Sequence, residues 1–536
     1  MTADLVFVNG PVYTGVTTAP WANAVAVAGD RIEAVGNESK EWIDAGTEVV
    51  DLEGRMLIAG FQDAHIHVLS GGLDLIRCNL NDDTGPKAAL ATIGRYAASH
   101  PGEEWILGGG WSYDWYPGGF PDAASLDREV ADRPVFLSNR DGHSAWVNST
   151  ALRLAGIDRH TPDPPDGRIE RLADGGPSGA LHEGAQRLVA RLIPPDSPHD
   201  LDRALAAGLA YVRSCGITAW QEAWVTPEMV PIYRAAAAEG RLGGHVSLAM
   251  WWERHVGLGQ IEWFEEERRH PAPGLRLGTV KLMLDGVCEN FTAAMLEPYE
   301  GAQPAGGSGL DFIAPDLLKD AVTELDKRGF QCHFHAIGDR ATRNALDAVA
   351  EARRRNRSTS DLRHHIAHLQ VIHPADINRF AELEVVANAQ ALWASHGHCQ
   401  DELNIPFLGA ERAAWQYPFA SLVNSGARLA MGSDWSVSTA NVMAQIEVAV
   451  NRVDPEEDST RPFLLEQRLD LDTCLRAFTS GSAYVNHRDG ESGSIEVGKV
   501  ADLVVLDRNP FTEGPIGETQ VDLTFVAGHP VYQRLG

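Results

Sequence analysis

The chain has 536 residues, which is too many for one compact core, so we expect at least two structural units. Acidic residues outnumber basic ones by 74 to 45, and the resulting formal net charge of −29 disfavours binding to nucleic acid or to an anionic membrane. The sequence has no apolar run of about 18 residues, no signal-peptide pattern and only scattered cysteines, so we expect a cytoplasmic protein with reduced thiols and no membrane partner.

The two ends of the chain predict strands of the same small unit. Short apolar runs separated by Asn-Gly and Gly-Asp turns lie at residues 5–8, 24–27 and 49–50. Similar runs near the other end cover residues 494–499, 503–506 and 523–526. Neither end has enough strands for its own core, so we predict that residues 1–58 and 488–536 pair into one β-sandwich. Two separate β-rich tails are the alternative.

The region between these ends, residues 59–487, predicts an α/β fold, a (β/α)₈ (TIM) barrel. Apolar strands, several preceded by glycine, alternate with helical stretches such as residues 343–355 and 375–383. The eight predicted strands cover residues 60–67, 216–220, 245–250, 279–283, 330–335, 365–369, 384–389 and 428–434. In such a barrel the functional residues lie at the C-terminal ends of the strands.

One interval of the barrel region is too long for a barrel loop. About 150 residues separate the first predicted strand from the second, and short connections are usual in such folds. This Gly-, Pro- and Trp-rich interval predicts an inserted subdomain at about residues 76–198. We expect it to lie over the barrel mouth and to shape a substrate pocket.

Nitrogen and carboxylate donors fall at the ends of several predicted strands. His65 and His67 are two residues apart on the first strand, so their side chains should point to the same face. His335, His368 and Asp434 end the fifth, sixth and eighth predicted strands. This converging donor set suits Zn²⁺, and also Mn²⁺, Fe²⁺ or Co²⁺.

Several motifs containing these donors follow one another in a fixed order. They are Asp63-Ala64-His65-Ile66-His67, Val280-Lys281 followed by Asp285-Gly286, His335-Ala336-Ile337-Gly338-Asp339, His368-Leu369-Gln370 and Ser433-Asp434-Trp435. Residues 142–148 of the insertion and residues 498–507 near the end add two more. Together, over nearly the whole chain, they resemble the amidohydrolase superfamily. More narrowly, they resemble its YtcJ-like branch, which includes N-substituted formamide deformylase.

The resemblance implies a set of metal ligands. His65, His67 and Asp434 would bind the more buried metal ion, and His335 and His368 the second. Lys281 lies in an apolar run where a bare ammonium is costly. Carboxylated by CO₂, it would bridge the two ions, which we expect to be zinc. An uncarboxylated lysine paired with Asp285 or Glu289 is the alternative, and one metal ion or two are both compatible with the resemblance.

The resemblance also implies a metal-dependent amidohydrolase. It would cleave a C–N bond in an amide, N-substituted formamide or carbamate by attack of metal-bound hydroxide. Asp434 would take the proton from the water and pass it to the leaving amine, unless it serves only as a ligand. His143 is the candidate donor to the carbonyl oxygen, and a structural hydrogen bond is its alternative role.

Aromatic residues suggest the chemistry of the substrate. Fourteen tryptophans favour a small apolar or aromatic substrate, although each of them could instead be a core residue. We expect substrate contacts from Trp111, Trp115, Trp146, Trp435 and His333, and we expect a homodimer.

Two rival functions are compatible with the same barrel. One is a non-hydrolytic metal-dependent isomerase or decarboxylase, because the fold alone does not specify the reaction. The other is a metal-free scaffolding relative, which would have lost ligands that this chain retains.

Overall fold

The structure, a computed structural model, describes residues 2–116, 120–301, 307–357, 360–455 and 460–535. The first 59 residues contain seven short strands, and four of them form a sheet in the order β5-β4-β1-β6. The seven strands are β1 (Leu5–Val8), β2 (Val12–Tyr13), β3 (Trp21–Ala22), β4 (Val25–Ala28), β5 (Arg31–Val35), β6 (Glu48–Asp51) and β7 (Met56–Ala59).

The first barrel strand, β8 (Phe61–Ile66), is followed by the predicted insertion, which contains a sheet of its own. The strands of this sheet are β9 (Cys78–Asn79), β10 (Ile106–Trp111), β11 (Val135–Asn139), β12 (Ser144–Val147), β13 (Gly167–Arg171) and β14 (Pro177–Glu183). They are ordered β13-β14-β12-β11-β10-β9. Apolar residues such as Ile106, Leu137 and Trp146 are fully buried, so the insertion has a core of its own.

The remaining barrel strands pair with one another in parallel and in chain order, and β15 pairs with β8. They are β15 (Ile217–Val225), β16 (His245–Trp251), β17 (Leu275–Met283), β18 (Gln331–Ala336), β19 (His365–His368), β20 (Val386–Ala389) and β21 (Leu429–Met431). The eight-stranded parallel barrel predicted from the sequence is therefore confirmed. The boundaries differ most at β15 and β17, which are longer than predicted, and at β21, which ends before Asp434.

Two backbone hydrogen bonds connect the first strand to the segment that follows the last one. Asp434 N donates to His65 O (2.8 Å), and His67 N donates to Trp435 O (2.7 Å). We call these four residues the closing seam. The seam brings the end of β8 against residues just beyond β21, so that the barrel closes at its C-terminal mouth.

Strands from the C-terminal end complete the sandwich. They are β22 (Leu503–Leu506), β23 (Val521–Val526) and β24 (His529–Gln533), and they extend a six-stranded sheet in the order β24-β23-β22-β7-β2-β3. Phe7 and Phe525 pack edge to face between the two sheets, with ring centroids 5.2 Å apart. The strand predicted at residues 494–499 was wrong, because the segment is a turn in which Lys499 Nζ donates to Ser494 Oγ (2.6 Å).

Helices lie between the strands and cover the barrel. They are α1 (Val68–Ile76), α2 (Pro86–Ser99), α3 (Ala123–Glu129), α4 (Ser149–Ala155), α5 (Arg187–Ala190), α6 (Pro198–Ser214), α7 (Met229–Ala238), α8 (Ile261–Arg268), α9 (Pro315–Lys327), α10 (Asp339–Asn356), α11 (Ile377–Glu382), α12 (Ile405–Ala413), α13 (Phe419–Asn424), α14 (Val442–Asn451), α15 (Leu471–Arg476) and α16 (Ser482–Val485). Among the described residues, no helix is both long and apolar enough to cross a membrane.

The helix that follows His67 is held tightly against the barrel. A Cβ on Gly72 of α1 would lie 1.8 Å from Ala204 O of α6, and one on Gly208 of α6 would lie 2.3 Å from Val68 O. Only glycine allows this approach, because any side chain would collide with backbone that has no room to move. The close contact fixes the start of α1, and with it the position of His67.

Candidate metal centre

The closing seam brings three predicted ligands together. The Nε2 atoms of His65 and His67 lie 3.2 and 3.0 Å from Oδ1 of Asp434. Despite these short distances Oδ1 of Asp434 has no hydrogen-bond partner. Both imidazoles therefore face the carboxylate oxygen without donating to it, as ligands around a common ion do.

Asp63 accepts hydrogen bonds from backbone N–H groups at the closing seam. Its carboxylate accepts hydrogen bonds from His65 N (2.9 Å) and from Ser433 N (3.0 and 3.2 Å). A Cβ on Gly432 would lie 2.5 Å from His65 N, so the two backbones approach as closely as glycine permits. Asp63, the first residue of the D-A-H-I-H motif, thus joins the first strand to the segment that follows the last one.

His368 and His335 extend the donor set across the mouth. His368 Nδ1 lies 3.7 Å from Asp434 Oδ2, and neither ring nitrogen of His368 has a hydrogen-bond partner. The ring of His335 lies next to it, with the two centroids 4.4 Å apart. His335 Nδ1 faces Asp285 Oδ1 at 3.3 Å. That carboxylate is itself held by the backbone N–H groups of three residues, Ala294, Ile337 and Gly338.

Burial keeps these imidazoles neutral. It lowers the pKa of His65 to about 3, with a further contribution from the charge of Lys281. It also holds the pKa values of His335 and His368 well below their usual range. Burial alone would raise the pKa of Asp434, but its close contacts with the imidazoles of His65 and His67 hold that pKa well below its usual value. Neutral imidazole and ionised carboxylate are the forms that bind metal.

Lys281 lies inside the barrel at the level of the ligands. It pairs in register with Trp251 on one side and His333 on the other, and it is only 3% exposed. Burial lowers the pKa of Lys281 to about 7, so much of the amine is neutral at physiological pH. Within the described residues neither Asp285 nor Glu289 pairs with it, because Asp285 faces His335 and Glu289 accepts from Asn404 Nδ2 (2.9 Å).

His333 lies behind the ligands, away from the mouth. It is fully buried, and its Nε2 lies 2.8 Å from Nδ1 of His65. If Nε2 of His65 binds a metal ion, its Nδ1 carries the proton and donates to His333. This placement argues against the substrate contact predicted for His333 and favours a role in orienting His65.

The insertion contributes His143 beside the second half of the donor set. The ring centroids of His143 and His335 are 5.4 Å apart. His143 Nδ1 lies 2.9 Å from Glu183 Oε1. Burial alone would lower the pKa of His143, but the negative charge of Glu183 raises it to about 9. Glu183 therefore favours the protonated form of His143, which lies next to the candidate metal centre.

The tryptophans predicted to contact substrate occupy several environments. Trp111 and Trp146 are fully buried in the insertion and donate to Leu137 O and Asp122 O, each at 2.8 Å. Trp435, a residue of the closing seam, is buried, and its ring lies 4.6 Å from that of Tyr211. These three are thus core residues in the structure, whereas Trp115 is half-buried.

Other tryptophans lie at the rim of the barrel mouth. Trp224 near the end of β15 is 40% exposed, and its ring lies 5.8 Å from that of Trp251 at the end of β16. Trp393 stacks on His368 with ring centroids 5.6 Å apart. Their positions at strand ends were visible in the sequence, but their exposure was not.

The residues present fit a divalent metal. Within the described residues, His65, His368 and Asp434 offer ligand atoms that all lie within 4.8 Å of one another. Asp434 Oδ1, both nitrogens of His368 and Nδ1 of His67 are buried polar atoms without hydrogen-bond partners. Buried polar groups are normally satisfied, so this cluster of nitrogen and oxygen atoms without hydrogen-bond partners has the chemistry of a divalent-cation site.

The family model of the "Amidohydrolase family" matches residues 48–532 of the chain. The chain belongs to the amidohydrolase family. It is accordingly an enzyme of the amidohydrolase class and a metal-dependent hydrolase. The resemblance inferred from the ordered motifs is thereby confirmed.

Relatives of this amidohydrolase match over nearly its full length. Protein LONG AFTER FAR-RED 3 of Arabidopsis thaliana is 31% identical, covering 99% of the chain and 92% of that protein. Putative amidohydrolase YtcJ of Bacillus subtilis is 27% identical, covering 98% and 99%. N-substituted formamide deformylase of Arthrobacter pascens is 28% identical, covering 99% of both proteins. These similarities place the amidohydrolase in the YtcJ-like branch.

A solved structure has the same architecture. An uncharacterized metal-dependent hydrolase from Pyrococcus furiosus is 25% identical to this amidohydrolase. The similarity covers 95% of the chain and 100% of that structure, with a TM-score of 0.72.

Proposed function

We propose that this amidohydrolase cleaves the C–N bond of an N-substituted formamide, or of a related amide or carbamate. The observation that carries the proposal is the convergence of unpartnered His and Asp donors at the closing seam, beside His143, which is hydrogen-bonded to Glu183. The similarity to a deformylase over the whole chain supports the bond type. Isomerisation and decarboxylation are the reactions that the experiment below must exclude.

The ligand assignment follows the resemblance to the amidohydrolase superfamily. His65, His67 and Asp434 would hold one zinc ion, and His335 and His368 a second. When bound, the metal supplies a Lewis acid and a water whose pKa falls towards about 7. Asp285, which faces His335, and His333, which faces His65, would keep two of the ligand rings in place.

Lys281 would join the two metal positions as a carbamate. Its neutral amine adds to the carbon of CO₂ and loses one proton, which converts a buried cation into an anionic oxygen ligand. The burial of Lys281 and the engagement of Asp285 and Glu289 with other partners support this assignment. The free energy that a buried ammonium costs is removed by the same step.

One side chain would transfer the proton, and another would donate a hydrogen bond to the carbonyl oxygen. Asp434 would accept a proton from the attacking water at its carboxylate and deliver it to the leaving nitrogen, which departs as an amine. His143 would donate a hydrogen bond to the carbonyl oxygen, where negative charge develops in the transition state. The charge of Glu183, which favours protonated His143, supports this donor role.

The nitrogen substituent of the substrate would be apolar or aromatic. Trp224 and Trp251 form an exposed aromatic pair at the rim, and Trp393 lies against His368. Aromatic side chains bind apolar groups well because they bury a large area at a small cost in conformational entropy. We assign the rim contacts to these tryptophans.

The test is a screen of the metal-loaded enzyme against N-formyl, N-acyl and carbamate compounds. Metal analysis of the purified protein should find one or two divalent ions per chain, and an N-substituted formamide should yield formate and a free amine. Reaction in ¹⁸O-labelled water should place the label in the released acid. Product formation without label would indicate an isomerase or decarboxylase, and a protein that neither contains nor responds to metal would contradict the proposal.

A further inference from the structure

One buried carboxylate connects the insertion to the barrel. Glu183, at the end of β14, is only 6% exposed. Its Oε1 lies 2.9 Å from His143 Nδ1, and it accepts from Thr292 Oγ1 (2.9 Å) and Asn290 Nδ2 (3.2 Å). Thr292 and Asn290 belong to the loop that follows β17, so three donors from two parts of the molecule meet at a single oxygen.

The surrounding backbone is shaped to admit this oxygen. A Cβ on Gly286 would lie 2.4 Å from Glu183 Oε1 and 1.9 Å from Thr292 Oγ1, so the space exists only because residue 286 is glycine. Glu183 itself has a φ of +51°, a conformation that non-glycine residues rarely adopt. Such strained positions cluster at functional sites, where the side chain is needed despite the cost.

The carboxylate determines how His143 is presented. An acceptor at Nδ1 keeps a proton on that nitrogen and restricts rotation of the ring. Within the described residues, no group hydrogen-bonds to Nε2 of His143. With its ring 5.4 Å from that of His335, His143 can offer Nε2 to a molecule bound at the mouth.

We propose that Glu183 is a positioning residue that holds His143 in its donor orientation through the Nδ1 bond. This inference rests on the proposed function, in which His143 donates to the substrate's carbonyl oxygen. A merely structural role, in which Glu183 only fastens the insertion to the barrel, is the competing explanation. The two differ in whether the effect of Glu183 on turnover passes through His143.

A double-mutant cycle separates these roles. The metal-loaded variants are Glu183→Gln, His143→Ala and the double variant, compared by kcat/KM with metal content measured in each. Glu183→Gln should lower kcat/KM by about 100-fold when His143 is present, the size expected for loss of one well-placed donor. In the His143→Ala background the same change should cost less than about 2-fold, because coupled residues are not additive.

The matched control is Glu170→Gln. Glu170 is another carboxylate of the insertion beside a buried histidine, His182, and this variant should keep kcat/KM within about 2-fold of wild type. An equal fall for Glu183→Gln in both backgrounds would overturn the proposal. An unchanged kcat/KM in the single variant would do the same.

A proton NMR measurement keeps the proposal testable if the variant does not fold or no substrate is found. Wild-type protein should show a strongly deshielded imidazole proton that disappears in His143→Gln, as a short bond to a carboxylate requires. Absence of this signal from wild type overturns the inference. Its presence in a protein that hydrolyses nothing supports the His143–Glu183 pair and shows that the proposed function is the part that fails.

Discussion

His143 and Ser144 are neighbours on the chain, but they belong to two different networks. His143 pairs with Glu183 next to the barrel mouth. Ser144 Oγ lies between Tyr113 Oη (2.8 Å) and His182 Nδ1 (2.6 Å), deep inside the insertion. His143 immediately precedes β12 and Ser144 is its first residue, and the two side chains contact different partners.

The network around Ser144 contains the residue types of a hydrolase triad. His182 Nε2 lies 3.5 Å from Glu170 Oε2, which completes a Ser–His–Glu arrangement. Yet Ser144 is fully buried, whereas the side chain of His67 at the mouth is 18% exposed. Short distances between a nucleophile and a base are therefore not enough to define a site, because a substrate must also reach them.

Of the substitutions in the two networks, those of the seam residues should lower kcat the most. His65→Ala and Asp434→Asn should each lower kcat by on the order of 1,000-fold or more and reduce bound metal, because they remove ligands and, at Asp434, the proton acceptor. Circular dichroism should show that both variants remain folded. Steady-state kinetics and metal analysis provide the measurements.

The corresponding change in the buried network is Ser144→Ala. It should lower the midpoint of thermal unfolding, since Tyr113 and His182 each lose a buried partner. The kcat/KM of the folded protein should stay within about 2-fold of wild type. Full activity in both seam variants, or loss of activity in Ser144→Ala with unchanged metal content, would show that the site has been assigned to the wrong network.

The next largest effect is expected at Lys281. Lys281→Ala should lower kcat by at least about 100-fold and weaken binding of the second ion, because a bridging ligand is lost. Acetate or propionate should restore part of the activity by supplying the missing carboxylate. The same acids should not rescue Asp434→Asn. A Lys281→Ala enzyme that no small carboxylic acid improves would contradict carboxylation.

A smaller effect, on metal affinity, is expected for substitutions of His333, which lies behind the ligands. His333→Leu should weaken metal binding by about 10- to 100-fold, because the proton on His65 Nδ1 loses its acceptor. His333→Gln retains an acceptor oxygen and should recover most of the affinity. Competition with a chelator provides the measurement, and equal affinities in the two variants would show that His333 does not act through His65.

The smallest effect, on KM, is expected for substitutions of the tryptophans at the rim of the barrel mouth. Trp224→Ala and Trp251→Ala should each raise KM by about 2- to 10-fold for substrates with an aromatic nitrogen substituent, with little change in kcat. A substrate with a methyl group on nitrogen should show no difference. An unchanged KM for aromatic substrates would place the apolar subsite elsewhere.

Much of the barrel could be predicted because its signals are local. Apolar runs alternating with helical stretches predict eight strands, and side chains at their C-terminal ends predict His335 and His368 as neighbours. The turn at residues 494–499 was misread as a strand because alternating residue types there match a strand pattern without having a pairing partner. Strand pairing is a property of the fold that such a short pattern does not contain.

The roles of Asp63, Glu183 and the tryptophans could not be predicted in the same way. Trp111 and Trp224 lie near strand ends, but one is fully buried and the other is 40% exposed. Glu183 meets Thr292 across 109 residues of sequence, and no local periodicity records such a contact. Packing between distant segments decides these roles, so that only tertiary structure reveals them.

The closing seam also links folding of the nascent chain to metal binding. Asp63 and Ser433, which it joins, are 370 residues apart in the chain. A nascent chain that stops before β21 has four of the histidines but neither Asp434 nor the backbone bonds that align them. With the ligand set proposed above, an ion would bind in this geometry only after the last strand has docked on the first. Once bound, it would oppose their separation, so metal occupancy and completion of the barrel would be thermodynamically linked.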